Sequence, residues 1–297
     1  MSGATERVHR AIAVAGDLKS VVRSMKAMAA SSIAQYDQSV QALEDYYRTV
    51  ELGLVACFRQ TAEPDLVLEV AQRGSGTTGM VIFGSDQGLV GRFNEVLLEF
   101  VGPTLGALPG RVTHVWALGE RVQTLTEDAR MPAAVLLPVP GSVNAITSIV
   151  GRILIEIETA RERVGLERCY LFHNRPKAGA SYQPVSQQLL PLDDAWRSKL
   201  SAERWPTTTV PEVIGGVPLA LPSFIRGYLF VLLFKACAES LASENASRLA
   251  AMQRADKSIE ESLEDLNRTF HRLRQDSIDE ELFDVVSGFE ALTVKES

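Results

Sequence analysis

The segment GSDQGLVGRFN at residues 84–94 is the nearest candidate for a ligand-binding loop, because it links an apolar strand to a helical run. A dinucleotide-binding loop requires glycines in the pattern G-x-G-x-x-G, which lets the backbone approach a pyrophosphate at a helix start. Gly84, Gly88 and Gly91 are instead spaced four and three residues apart, and the chain has no G-x-x-x-x-G-K-[ST] phosphate loop. We therefore expect no cofactor, and we interpret the glycines as a turn that lets helix and strand pack closely.

The side chains that could act in acid–base or metal chemistry are dispersed along the chain. Four histidines lie in four different predicted elements, without the spacing of a zinc site: His9, His114, His173 and His271. Three cysteines are far apart and are expected to be buried apolar residues: Cys57, Cys169 and Cys237. Four acidic residues are interpreted as the solvated side of a helix: Glu260, Glu261, Glu264 and Asp265. These patterns predict no catalytic residue and no metal site.

Two basic clusters are the remaining candidates for a functional surface. Lys19, Arg23 and Lys26 follow one another at i, i+4 and i+7, and so form one positive stripe on a predicted N-terminal helix. The second cluster lies near the end of a predicted C-terminal helix and consists of Arg268, Arg272, Arg274 and Gln275. Both clusters are consistent with simple solubility, or with contacts to acidic surfaces on a surrounding partner.

The elements that carry these clusters are predicted to be two long helices at the ends of the chain. All thirteen prolines lie between Pro64 and Pro222, so neither end contains the residue that most disrupts a helix interior. The N-terminal apolar residues repeat in heptads: Val8, Ile12, Ala15, Leu18, Val22, Met25, Ala29, Ile33, Tyr36, Val40, Leu43, Tyr47, Val50 and Leu54. A helix over residues 4–60 would be roughly 85 Å long.

The C-terminal segment shows the same heptad steps, with one phase slip. Its two runs are Ile259, Leu263, Leu266, Phe270 and Leu273, then Ile278, Leu282, Val285, Phe289 and Leu292. A helix over residues 223–293 would be roughly 105 Å long. Because each helix must bury its stripe, we predict an antiparallel pair with the longer C-terminal tip projecting. The apolar tip, which includes Phe283, Val286 and Phe289, implies a sleeve in another protein; a homodimeric coiled coil or a long bundle remains an alternative.

The middle of the chain is predicted to be an α/β domain. Strands are expected at residues 80–83, 112–118, 133–137, 168–173 and 182–190, and helices at residues 95–101, 120–130 and 143–164. Their alternation indicates a mostly parallel, Rossmann-like sheet covered on both faces, followed by an extended connection. The predicted fold class is α/β plus a long antiparallel coiled coil, with helices at 1–63 and 223–297 around an α/β domain at 64–222.

Composition restricts the class of partner. The chain has 297 residues, a net charge of −7 and no basic domain, which argues against a nucleic-acid partner. Its most apolar stretch, residues 224–238, contains Arg226 and Lys235 and is expected not to span a membrane. No signal peptide is recognised, so we expect a cytoplasmic protein that reaches a membrane only through partners.

Several segments resemble one protein family over nearly the whole chain. The run DLKSVVRSMKAMAASS at residues 17–32 resembles the start of the gamma subunit of F-type ATP synthases, and residues 239–256 and 266–288 resemble its last helix. The loop at residues 84–94 resembles the family turn Ser-Asp-Arg-Gly-Leu-Cys-Gly-Gly-Phe-Asn, and LLPL at residues 189–192 also matches.

This resemblance implies a non-catalytic subunit whose paired terminal helices stand inside a hexamer of alternating alpha and beta subunits. The foot of the coil and the central domain would meet the epsilon subunit and the membrane ring of c subunits. Rotation would couple ion flow through the ring to ATP synthesis or hydrolysis, on the cytoplasmic side of the bacterial plasma membrane. By matching position, Met25 and Lys26 would face a beta subunit, and Arg274 and Gln275 would contact a beta-subunit loop.

The chain departs from the family pattern at several of these positions. Residues that replace the usual ones are Gln87, Val90 and Arg92 in the turn, Ala27 and Ser32 near the N-terminus, and His271 and Asp279 near the C-terminus. The departures predict altered partner contacts, and lead to the hypothesis of a divergent gamma subunit from a second ATPase complex. Competing hypotheses are an independent coiled-coil scaffold that dimerises through its ends, and an α/β enzyme with helical arms.

Overall fold

The computed structural model describes residues 3–60, 77–107, 111–132, 134–177, 181–192, 194–202, 205–209 and 211–293. The helices within these residues are α1 (Gly3–Ala42), α2 (Glu44–Gln60), α3 (Phe93–Ala107), α4 (Glu120–Asp128), α5 (Val143–Val164), α6 (Asp194–Ser201) and α7 (Val217–Thr293). The strands are β1 (Thr77–Phe83), β2 (Arg111–Leu118), β3 (Ala134–Leu137), β4 (Arg168–Lys177) and β5 (Ser181–Leu190). The predicted strands and helices of the α/β domain are thus present at nearly the predicted positions.

The five strands form one mixed sheet in the order β3-β2-β1-β4-β5. β1 pairs in parallel with both β2 and β4, β2 pairs in parallel with β3, and β5 forms an antiparallel hairpin with β4. The parallel pairs are linked by helices, as the crossover connection of parallel strands requires. The chain therefore has the mostly parallel sheet that the alternation of elements predicts.

Helices cover both faces of this sheet, which explains why its central strands are apolar at consecutive positions. Side chains of β1 alternate between two cores: Val81 and Phe83 belong to one, and Met80 and Ile82 to the other. The first core also contains α5 and part of α7, and the second contains apolar residues of α3 and α4. Cys57, Cys169 and Cys237 are all buried, as expected from the sequence.

The chain forms two compact units, one of residues 30–248 and the other of residues 1–29 together with 249–297. In the unit of residues 1–29 and 249–297, α1 and α7 run antiparallel, because residues later in α1 contact residues earlier in α7. His9 lies beside Phe270, Lys19 beside Glu260 and Lys26 beside Asp256. In the unit of residues 30–248, Tyr47 stacks on Tyr228 and Gly53 lies against Phe224, again in antiparallel order. These contacts confirm the predicted pairing of the terminal helices.

The N-terminal helix is not continuous, contrary to the prediction of one helix over residues 4–60. α1 ends at Ala42 and α2 begins at Glu44, with a tight turn in which the Leu43 N–H donates to the Val40 carbonyl at 3.2 Å. Glu44 and Asp45 in the first turn of α2 favour a helix start there, because carboxylates interact well with the positive end of the helix dipole. A cavity of about 560 Å³ lies beside the break. The predicted domain boundary at residues 63 and 64 lies outside the described residues.

The C-terminal helix begins earlier than predicted and extends over 77 residues. The predicted extended connection at residues 193–222 contains α6 and the first turns of α7. Pro218 lies in the first turn, where its missing N–H would have no acceptor, and Pro222 in the next turn interrupts the helical hydrogen bonding only near the helix start. Proline therefore does not mark the start of this helix.

Part of α7 is long and apolar enough, by length and composition, to cross a membrane. The 18-residue window has a mean hydropathy of 1.8, and a third of it is buried within the protein. Leu233, Ala236 and Ala238 of α7 are fully or nearly fully buried, and a helix that contributes to a core satisfies the same criterion.

The loop at residues 84–94 is a structural turn in this fold. A Cβ atom on Gly84 would lie 2.4 Å from the Cβ of Val122, so only glycine allows β1 and α4 to approach this closely. The Asp86 carboxylate accepts hydrogen bonds from the backbone N–H groups of Glu120, at the start of α4, and Val139, at 3.2 and 3.3 Å. The loop therefore holds a strand, a helix start and a neighbouring loop together, as the interpretation of its glycines predicts.

Replacing Gly84 by alanine is expected to lower the free energy of unfolding by about 2 kcal/mol, because overpacking of a filled core typically has this effect. Gly88→Ala, in the same loop, is the matched control: nothing lies within 4 Å of its added Cβ, and we expect a change within about 0.5 kcal/mol. Urea denaturation of the full-length variants measures both. Equal effects would contradict the packing role of Gly84.

Candidate partner-binding surfaces

The seam between α1 and α7 in the unit of residues 1–29 and 249–297 uses most of the predicted heptad residues. Val22 and Ala29 are buried, and the half-buried seam residues of α7 are Ile259, Leu263, Leu266, Phe270 and Leu273. Leu18 was predicted to lie on the seam but is 52% exposed, and the half-buried Lys19 lies there instead. A straight helix of 3.6 residues per turn drifts relative to a strict heptad, which accounts for the shift by one residue.

Lys19 and Lys26 connect the two helices. The Lys19 ammonium donates to Glu260 Oε1 at 2.7 Å, and the Lys26 ammonium donates to Asp256 Oδ2 at 2.6 Å. The hydrogen bond from Lys26 lowers the pKa of Asp256. Two of the three residues of the predicted positive stripe are therefore used within the chain, and Glu260, interpreted as part of a solvated face, takes part in the pairing.

Arg23 differs from its two neighbours in the stripe. Its side chain is exposed, and no ion pair within 4 Å joins it to a described residue. Met25 is half-buried, and Met28, one helical turn further, is exposed. Arg23 is thus the member of the stripe whose charge is accessible to another molecule.

The basic cluster of α7 is exposed, and its ion pairs with described residues are all local. Arg268 contacts Glu264 at 3.4 Å and Asp265 at 3.2 Å, all on the same helix. Arg272, Arg274 and Gln275 are exposed. Exposed pairs of this kind contribute little to stability, so these cations can exchange their partners at low energetic cost.

The last turns of α7 are apolar and exposed. Because His9 lies beside Phe270, an antiparallel partner at 1.5 Å per residue places the start of α1 beside roughly residue 276. Beyond that point Leu282 is 63% and Phe283 is 74% exposed, and the other exposed apolar residues are Ile278, Val285 and Val286. The described part of the tip is therefore exposed as predicted, whereas the side chain of Phe289 lies outside the described residues.

A buried polar network joins α7 to the sheet in the unit of residues 30–248. His173 of β4 is 1% exposed, and its Nε2 lies 2.7 Å from Glu239 Oε2. The Arg175 Nε–H donates to the same oxygen at 3.0 Å. Since a carboxylate only accepts, His173 carries its proton on Nε2, and its buried Nδ1 has no hydrogen-bond partner among the described residues.

This environment keeps His173 neutral and Glu239 charged. Burial lowers the pKa of His173 and outweighs the opposing effect of Glu239. Burial raises the pKa of Glu239, but its hydrogen bonds to His173 and Arg175 and the charge of Arg175 outweigh it, so the net pKa is lowered. The sequence does indicate a polar contact on this face of α7. Four polar residues with helical spacing interrupt an otherwise apolar stretch: Glu239, Ser240, Ser243 and Ser247.

The network occupies the carboxyl end of the parallel strands. The Ser240 hydroxyl donates to the carbonyl of Phe83, the last residue of β1, at 3.2 Å, and the Ser243 hydroxyl donates to the Asn174 carbonyl at 3.0 Å. Ligands of open parallel sheets usually bind in a crevice at this edge. Here α7 fills it with its own side chains.

Comparison with known proteins gives the family. The family model described as ATP synthase matches residues 4–292. A curated relative from Leptothrix cholodnii, named ATP synthase gamma chain, is 25% identical over 280 residues, which are 92% of this chain and 94% of the relative. This chain belongs to the ATP synthase gamma-chain family. A second family member, from Cupriavidus necator, is 24% identical over 97% of this chain and 99% of its own length.

Solved structures of ATP synthases contain chains with the same fold. A rotor chain of the Euglena gracilis mitochondrial ATP synthase matches with a TM-score of 0.61 and 16% identity over 93% of this chain and 99% of the other. A chain from the OSCP/F1/c-ring structure of the same enzyme gives a TM-score of 0.63 and 16% identity over 99% of this chain and 96% of the other. The fold of this chain is thus shared with these chains at low sequence identity.

Replacing Lys26 by methionine is expected to lower the melting temperature of the full-length chain. Asp256 would lose its only hydrogen bond among the described residues, because its Oδ1 already has none there, and an unpaired carboxylate beside apolar residues is destabilising. Arg23→Met is the matched control and should lower the melting temperature less, because Arg23 acts on Asp256 through its charge and makes no hydrogen bond to it.

A double variant strengthens this test, measured by the helical circular dichroism signal on heating. Lys26→Met combined with Asp256→Leu removes both charges and should recover the stability lost in the single variant. If Lys26→Met melts like the Arg23 control, the ion pair does not stabilise the helix pair.

The free energy of unfolding is expected to fall as the pH drops below the ordinary His pKa of 6.5. Because the folded pKa of His173 is lowered, the unfolded chain binds the proton first, so the contribution of His173 is present above pH 6.5 and is lost as the pH falls through its folded pKa. Urea denaturation at about pH 7.5 and about pH 5.5 measures this loss. His173→Gln should weaken the pH dependence, whereas the exposed-site control His271→Gln should keep it; the reverse result would contradict the assignment.

Proposed function

We propose that this chain is the central-stalk rotor subunit of an F-type ATP synthase. It couples ion flow through a membrane ring to ATP synthesis or hydrolysis in a hexamer of alpha and beta subunits. The observation that carries the proposal is α7: one helix of 77 residues, roughly 115 Å long, pairs with α1 in one unit and is hydrogen-bonded to the sheet in the other. Family membership over residues 4–292 supports the same function.

The tip of α7 and the exposed cations form the surface that we assign to the alpha and beta subunits. The exposed apolar residues after residue 276 need to be enclosed by another protein, because a contiguous apolar surface is rarely left in water. Arg23 and Met25 on α1 are contact residues in this proposal, as are Arg268, Arg272, Arg274, Gln275 and Phe289 on α7. Lys19 and Lys26 act at the same surface chiefly by fixing the helix pair that presents it.

The start of α7 and the residues just before it are assigned to the membrane ring. Residues 213–225 carry no charged side chain, and within them Ile214 is 94% and Leu219 is 75% exposed. This exposed, uncharged segment is the part of the chain that we assign to the ring of c subunits, and the rest of the α/β unit is available to the epsilon subunit. The complex would lie as a peripheral assembly on the cytoplasmic side of the bacterial plasma membrane.

A non-catalytic role is part of the proposal. The sheet edge at which nucleotides bind in open α/β folds is filled by α7, and no group of three or more metal-ligating side chains occurs in the described part of the chain. An independent scaffold that dimerises through its ends is less well supported, because α1 and α7 already use their seams within one chain.

Co-purification tests the proposed function. A tagged full-length chain expressed in its native cells should retain alpha and beta homologues in equal amounts, together with c and epsilon subunits, after detergent extraction. Mass spectrometry of the purified complex identifies them. Recovery of the chain without any alpha or beta homologue, or only as a dimer of itself, would refute the assignment.

The double variant Phe283→Ser and Val286→Ser should weaken retention of alpha and beta subunits, because it removes apolar surface from the tip of α7. Since both side chains are exposed, the isolated chain should melt at an unchanged temperature. Glu280→Gln with Glu281→Gln changes exposed polar positions of the same turns and is the control. Equal retention of the subunits by both double variants during washing would contradict the role of the tip.

A further inference from the structure

α7 contacts the central sheet through polar as well as apolar side chains. Glu239, Ser240, Ser243 and Ser247 lie within about 100° of the helix circumference, and each is hydrogen-bonded to a residue of the α/β unit. Three of the acceptors are backbone carbonyls, at Phe83 and Asn174 in the sheet and at Val90 in the turn after β1. Because the sheet and this turn fix the acceptors, the bonds define one rotational setting of the helix.

Polar and apolar contacts resist motion differently. Apolar packing is non-directional and loses little when two surfaces slide slightly, whereas a hydrogen bond weakens steeply once its angle departs from linearity. Rotation of α7 about its axis would break the bonds of Ser240 and Ser243 together, and would leave Glu239 as an unpaired buried charge. The apolar seam of this unit, with Tyr47 stacked on Tyr228 at 6.0 Å, offers no comparable directional restraint.

The position of the contact places it between the two strands that anchor the sheet. Phe83 ends β1 and Asn174 belongs to β4, and these strands are direct neighbours in the middle of the sheet. Glu239 receives hydrogen bonds from His173 and Arg175 on β4. The helix is therefore fixed to two neighbouring central strands of the sheet.

We propose that Glu239, Ser240 and Ser243 form a torque joint that prevents α7 from turning relative to the sheet, with His173 and Arg175 as positioning residues. This inference rests on the proposed rotor function. In a rotor, torque that enters at the α/β unit reaches the catalytic hexamer only if that unit and α7 turn together. Slippage at the joint would allow ATP hydrolysis without ion transport.

The test compares coupling in complexes that contain variants of the full-length chain. One variant is Glu239→Gln, and another is Ser240→Ala with Ser243→Ala, which removes two hydrogen bonds with little change in volume. The control is Glu244→Gln, because Glu244 is equally buried on α7 but forms its ion pair with Arg248 of the same helix. Purified complexes in vesicles are assayed for ATP hydrolysis and, with proton- and sodium-sensitive dyes, for ions transported per ATP.

Both joint variants should retain ATP hydrolysis and lose part of the ion transport per ATP, whereas Glu244→Gln should match the unmodified complex. Hydrogen exchange of β1 and β4 separates slippage from misfolding, since a folded sheet keeps its slow exchange. Full coupling in both joint variants would overturn the torque joint and leave the proposed function intact. Failure of the unmodified chain to assemble with alpha and beta subunits would refute the proposed function itself, and the joint with it.

Discussion

The need of α7 to bury one face along its whole length is the constraint on which the rest of the structure depends. A helix of 77 residues is not stable alone in water, because most helical stability in proteins comes from packing of an apolar face. α1 supplies the cover in one unit, and α2, α5 and the sheet supply it in the other. The tip beyond roughly residue 276 receives no cover from α1, and the proposed function follows from that exposure.

The sequence predicts the elements well because their signals are local. Strand β1 appears as an apolar run, α5 is predicted over its observed range, and the spacing of Gly84, Gly88 and Gly91 correctly indicates a turn. The acidic residues Glu44 and Asp45 indicate a helix start after Leu43. The prediction of one helix gave more weight to the apolar heptads, which continue past this point. Pro222 was expected to mark a helix boundary, but a long helix with strong packing elsewhere tolerates proline near its start.

The candidate surfaces are predicted less well because they depend on which residues meet across the fold. The spacing of Lys19, Arg23 and Lys26 identifies a stripe but not that Glu260 and Asp256 lie opposite two of its members. The buried contact of His173 with Glu239 joins residues 66 positions apart. The polar residues spaced around Glu239 indicate a polar contact on α7, but nothing local to them identifies His173 as the partner. A heptad pattern also leaves the choice between Leu18 and Lys19 open, because the drift of a straight helix accumulates over several turns.

The interruption at Leu43 makes the two terminal helices differ in stiffness. Axial hydrogen bonds make a helix stiff in twisting, and a chain that breaks between Val40 and Glu44 loses that continuity at one point. α7 has no such interruption. Beside the cavity at the break, α7 is therefore the stiffer of the two helices. During a stepwise rotation, elastic twisting would therefore concentrate in the softer N-terminal helix. α7 would meanwhile keep a fixed angular position along its own length.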